Sequence, residues 1–129
     1  MSSTALPIQI SAAIQYTPQP PGPVDLFIGV LGQYVAQAGT KYESGIFLAP
    51  TTAGGAAIPV SSLANLGYAV FVNLDPVNYV ELLTAASGTN IITLQPGDVA
   101  VFRFGSGIAA PALLAHTDAV EVQYLILEN

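Results

Sequence analysis

Turn-forming residues recur so often along this chain that no helix of ordinary length fits between them. Twelve glycines and ten prolines are spread over 129 residues, and nowhere does an apolar period of 3.6 persist over ten residues. What lies between the breaks alternates instead. From Leu6 to Tyr16 the even positions are Leu6, Ile8, Ile10, Ala12, Ile14 and Tyr16, while the odd ones are Pro7, Gln9, Ser11, Ala13 and Gln15. Six successive hits at period two predict one long, half-buried strand. Thr17-Pro18-Gln19-Pro20-Pro21-Gly22-Pro23 must stop it, because four prolines cannot donate to a ladder.

The rest of the chain repeats this logic. Val24 to Val35 is apolar on both parities and predicts a central strand. Gly39 to Ser44, with Lys41 and Glu43, reads as a solvated turn, and Ile46-Phe47-Leu48 as a short strand closed by Pro50. Ile58-Pro59-Val60 suits an edge strand at most, and Ser61 to Asn65 fits one helical turn. Tyr68 to Leu74 predicts a buried strand, Asp75-Pro76 a turn, and Tyr79 to Leu83 a further strand. Ile91 to Leu94 leads into Gln95-Pro96-Gly97-Asp98, whose proline and glycine suit a type II turn. Val99 to Phe104 is then expected to return as a hairpin partner, and Val120 to Leu127 closes the chain. Eight or nine short strands predict an all-β fold, an antiparallel β-sandwich with a jelly roll the first choice. The expected organisation is a single domain over residues 1–129, with residues 1–23 an arm or strand, Pro-rich at its end, that can leave the body.

Charge is scarce where strands are plentiful. Eight acidic residues and two cations, Lys41 and Arg103, make 8% of the chain, against about 25% in an ordinary soluble domain. The formal net charge of −6 excludes nucleic acid as a partner, since phosphates would be repelled. A hydrophobic fraction of 52% excludes intrinsic disorder. By surface scaling, a chain of this mass exposes about 6,400 Å², so ten charges leave one per roughly 640 Å². That exceeds the largest apolar patch of a typical monomer, about 300–600 Å², and predicts a subunit that meets other proteins. A membrane span is not expected: residues 44–74 lack charge, but Pro50 to Pro59 interrupts them with turn formers. Met1 to Pro7 has neither a basic nor a compact apolar region, so no signal peptide is expected. The absence of cysteine fits synthesis in a reducing cytoplasm.

Residues able to do chemistry are few. His116 is the single histidine; Asp118, two residues on, would orient its ring if both lay on one strand, but a loop histidine is the expected reading. No nucleophile motif accompanies them, so no catalytic residue is assigned. Asn73, Asp75 and Asn78 offer oxygens of the kind calcium accepts, yet Asx residues at turns ordinarily bond nearby amides; no metal and no cofactor are expected. Arg103 breaks an apolar face: an intramolecular pair with Glu81, Asp98 or Glu121, or plain solvent exposure, is expected ahead of a pair with a neighbouring subunit. The six tyrosines and five phenylalanines raise sugar binding as an idea, but most lie inside strand patterns and read as core. Gly29-Val30-Leu31-Gly32 lacks the spacing and lysine of a phosphate loop.

Three segments taken together carry a resemblance. They are Gly67 to Glu81, containing Asn73-Leu74-Asp75 and Asn78-Tyr79-Val80; Leu94 to Arg103, containing Pro96-Gly97-Asp98 and Phe102-Arg103; and Ala115 to Glu128, containing Thr117, Ala119-Val120 and Tyr124-Leu125-Ile126-Leu127-Glu128. Their order resembles a group of small tailed-bacteriophage virion proteins. The likeness runs from Gly67 onward and residues 1–66 add nothing to it. Asp98 stands where that pattern has Glu, and Leu82-Leu83 where it has Ile-Gly. The resemblance implies a structural subunit without catalytic residues, located in the virion and assembled in the host bacterial cytoplasm. The expected role is capsid decoration, as a cement protein: a homo-oligomer stapling the major capsid protein or other virion subunits. Leu6, Ile8, Ile10, Ile14, Tyr16 and Arg103 are the expected contact residues, the first five through strand addition. A tail-associated structural or carbohydrate-binding module is the alternative.

Overall fold

The computed structural model describes residues 41–129 in full and, before them, the backbone of four strands: β1 (Leu6–Ile10), β2 (Ala13–Tyr16), β3 (Leu26–Gly29) and β4 (Tyr34–Ala38). Eight more follow: β5 (Tyr42–Ala49), β6 (Ala56–Ala57), β7 (Leu66–Asn73), β8 (Val80–Leu83), β9 (Asn90–Leu94), β10 (Val99–Arg103), β11 (Ala112–Ala115) and β12 (Val120–Glu128). Among the described residues there is no helix, and every ladder is antiparallel.

The eight strands from β5 onward make two four-stranded sheets, β10-β7-β12-β5 and β6-β11-β8-β9. Counted from β5, these are the sixth, third, eighth and first strands, and the second, seventh, fourth and fifth. This connectivity has a simple origin. β5 pairs with β12, β6 with β11, β7 with β10 and β8 with β9, so the chain is one long hairpin with its tip between β8 and β9. Rolling that ribbon sets β12 beside β7 and β11 beside β8, which fuses the pairs into two sheets. The result is the jelly-roll form of the β-sandwich expected from the strand count.

Between the sheets lies an apolar core, supplied on the β7 and β12 side by alternating residues. Along β12, Val120, Val122, Tyr124 and Ile126 face inward; along β7, Ala69 and Phe71 do the same. Leu82, Leu113, Val80 and Leu94 meet them from the second sheet. Phe71 stacks on Phe102 with ring centroids 5.9 Å apart and meets the edge of Phe104 at 6.2 Å. Phe102 and Phe104 themselves pack edge to face at 5.0 Å.

Several local expectations need correction. The type II turn at Gln95–Asp98 is present, with Gly97 at φ +79 and the Asp98 amide bonded to the Gln95 carbonyl at 2.9 Å. It does not close a hairpin, because β9 joins β8 in one sheet while β10 joins β7 in the other. The turn is a crossover between layers. Tyr42 to Ser44 belongs to β5 rather than to a turn; Glu43 is satisfied there by the Ser62 hydroxyl, which donates to it at 2.6 Å. The edge strand of the second sheet is Ala56–Ala57, not Ile58–Val60, and the 61–65 segment is non-helical.

The N-terminal reading also changes. The span from Leu6 to Tyr16 forms two strands with different partners, β1 on β4 (Leu6↔Ala38) and β2 on β3 (Ala13↔Gly29). Val24 to Val35 likewise contributes to two strands and not to one central strand. Gly29 is the last residue of β3, and glycine weakens a strand interior. The side chains of Leu6, Ile8, Ile10, Ile14 and Tyr16, and the whole of Thr17–Pro23, lie outside the described residues.

Gly55 fixes one corner of the roll. It sits at φ +71, and a Cβ there would lie 2.6 Å from the Leu113 carbonyl oxygen on β11. Gly55→Ala combines left-handed strain with a backbone clash, and its expected cost is about 2 kcal/mol. A fall in the urea midpoint at unchanged slope is the readout.

Candidate functional site

An antiparallel sheet that covers a core on one side ordinarily turns polar residues to water on the other. The β10-β7-β12-β5 sheet departs from this rule. Its outward side chains form cross-strand rows: Ile46, Gln123, Val72 and Val99 make one, and Ser44, Leu125, Val70 and Val101 the next. Tyr42, Ile46, Leu48, Val99 and Val101 are exposed, Ile46 and Val99 at 62% each. Val70, Val72, Leu125 and Leu127 are half-buried between them. Both parities of β7 and β10 are therefore mainly apolar, one turned to the core and the other facing out.

A groove of about 520 Å³ crosses this face, lined by Ser44, Ile46, Val70, Val72, Gln123 and Leu125 among others. Charge stands only at its edges. On these four strands Glu121 and Arg103 are the charged residues of outward parity, and they stand at opposite strand ends, Glu121 on the inner strand β12 and Arg103 on the edge strand β10. Glu121 lies across from Leu48 on β5, and Arg103 across from Tyr68 at the far end of β7. The Arg103 guanidinium lies 5.6 Å from the centre of the Tyr68 ring and donates to Asn129 Oδ1.

Arg103 thus takes none of the carboxylates expected for it. Glu81 contacts His116 Nε2, and Asp98 accepts from the Gln95 amide at 2.8 Å. The register explains this, since the end of β10 lies beside Tyr68 and the chain terminus rather than beside β8.

The single histidine stands just beyond the other sheet, in a loop. β11 ends at Ala115, so His116 and Asp118 fall in the turn before β12 and do not share a strand face. Glu81, not Asp118, is the partner of the imidazole, and Tyr79 stacks on it at 5.3 Å. The cluster is an imidazole, a carboxylate and a phenol on an open surface.

Asn73, Asp75 and Asn78 use their oxygens on backbone. Asn73 is 1% exposed; its Nδ2 donates to the carbonyls of Asn78 and Leu94 at 3.0 Å each, and its Oδ1 accepts from the Asp75 amide at 2.8 Å. Asp75 Oδ1 accepts from the amides of Val77 and Asn78 at 2.8 and 2.7 Å. Those amides hold the Asp75 carboxyl below its ordinary pKa. With a depressed folded-state value, its support of the turn is present above the usual carboxylate range and fades as pH falls through the folded value. On the core side of the β10-β7-β12-β5 sheet, burial and the nearby Glu43 charge raise the pKa of Tyr124. Among the described residues no group of three or more His, Cys, Asp or Glu side chains is placed to hold a metal, and no helix is long and apolar enough to cross a membrane.

Of the expected contact residues, Arg103 lies at the rim of the apolar face, and the other five lie on β1 and β2. Sequence reasoning missed Ile46, Val70, Val72 and Val101. The signal was available in the double-parity apolarity of Tyr68–Leu74 and Val99–Phe104, which reads equally as a strand buried on both faces. No family model, curated protein or solved structure matches this chain.

Proposed function

We propose that this chain is a structural subunit of a tailed-phage virion, a capsid decoration protein that acts as cement between neighbouring capsid subunits. The observation that carries the reading is a jelly roll whose outer sheet face carries exposed or half-buried apolar side chains on all four strands, with few polar ones among them. Burying such a face stabilises by roughly 25 cal/mol per Å², so contact with another protein is its favourable state. The three-segment resemblance from Gly67 onward supports the virion as the setting. β1 to β4 ladder only with one another and join neither sandwich sheet; on this reading the Leu6–Tyr16 span or the Pro-rich segment after it reaches onto a capsid neighbour. Strand addition there would supply affinity without chemistry.

The test is to purify the particles produced by the phage or prophage that encodes the chain and locate it by mass spectrometry and immunogold microscopy. Label distributed over the head surface is expected. Label confined to the tail would favour the tail-module alternative, and absence from purified particles would remove the virion reading.

A further inference from the structure

We infer that the outer face of the β10-β7-β12-β5 sheet binds a second copy of this chain, related by a two-fold axis that passes between Val70 and Val72. This inference rests on the reading of the chain as an assembly subunit, and it names the partner that takes the apolar face.

Self-complementarity carries the assignment. Glu121 and Arg103 are separated by two strands across the sheet and six residues along it, hence by about 22 Å. The midpoint of the line joining them falls on β7, at Val70 and Val72. A two-fold axis lying in the interface at that point sets Glu121 of each copy opposite Arg103 of the other. Two ion pairs then close the two ends, and valines pack on valines at the centre. A closed pair of this type uses one patch twice, as isologous interfaces do. A foreign partner would need to reproduce that charge spacing independently.

Size agrees with this assignment. Four strands by about eight residues cover roughly 19 by 26 Å, or about 500 Å² per copy. At full overlap the pair covers about 1,000 Å², the lower bound for a specific interface and below the roughly 1,200–2,000 Å² of the standard class. The middle is apolar and the charges sit at the rim, the arrangement found in protein–protein contacts.

Sedimentation velocity on the full chain at micromolar concentration is expected to show a dimer. Arg103→Glu sets Glu against Glu at both ends, and Glu121→Arg sets Arg against Arg; each is expected to weaken dimerisation at least tenfold. The double swap, Arg103→Glu with Glu121→Arg, restores the pairing and should recover most of the loss. Recovery is the decisive readout, because a merely structural role for Arg103 would not be rescued from another strand. The sequence contains no cysteine, so one engineered thiol reports cleanly. Val70→Cys should be bridged to its own copy by a short bis-maleimide, whereas Val77→Cys, on a loop and 76% exposed, should not.

A wild-type monomer overturns the inference, whether the face is then covered by residues 1–40 or left open. A dimer indifferent to all three charge variants overturns it equally. The two readings fail separately: a dimer absent from virions removes the proposed setting, and a virion-bound monomer removes the two-fold interface.

Discussion

Phe71→Ala will cost about 3–5 kcal/mol, the range for truncating a fully buried aromatic. Phe71 has no exposed surface, sits in the middle of β7 with Ala100 and Tyr124 across from it, and holds the Phe102 and Phe104 rings in place. Removing it opens a void where the two layers meet, and the neighbouring rings are anchored on backbone that cannot collapse into it. Domains of this size are stable by about 5–15 kcal/mol, so the loss is a large fraction of the total. The melting temperature should drop by roughly 10–20 °C. Val77→Ala, on an exposed loop, should stay within about 0.5 kcal/mol. A loss below about 1 kcal/mol for Phe71→Ala would mean that the layers do not close on this ring.

What the sequence makes legible follows from the range of the interactions involved. Alternation in Val120–Leu127 and the type II turn at Gln95–Asp98 are set by residues close in the chain, and both stand in the structure. The destination of a strand after a turn is a different matter. Pro96 and Gly97 dictate local dihedrals, but whether Val99 pairs with β9 or with Val72 is decided by the rolling of the whole ribbon. Similarly, the Glu43 carboxylate suggests solvent, yet its hydroxyl partner Ser62 lies nineteen residues away. The apolar face was half legible. Tyr68–Leu74 reads correctly as strand, but a run apolar on both parities does not say whether its second face meets its own core or another chain.

The same limit applies to Asn73, where a group of oxygens that sequence alone offers to a metal is in fact a knot of backbone bonds. Asn73→Asp will destabilise the fold by about 3–5 kcal/mol at pH 7, because a carboxylate cannot donate. One of its oxygens would stand where Nδ2 now donates at 3.0 Å and face the Asn78 and Leu94 carbonyls. Leu94 belongs to the second sheet and Asn73 to the first, so the damage falls on the joint between layers. Burial and two opposed carbonyls raise the folded-state pKa of the introduced acid above its unfolded value near 4. Between those two values the folded protein holds the extra proton, so stability falls as pH rises. Urea midpoints at pH 4.5 and 7.5 should therefore diverge for Asn73→Asp and remain parallel to wild type for Asn73→Ala. The alanine variant loses the same bonds without adding a charge and should cost about 3 kcal/mol at both pH values. Equal losses for Asn73→Asp at the two pH values would mean that water reaches the site, and the joint between sheets would then have to be held by the apolar core alone.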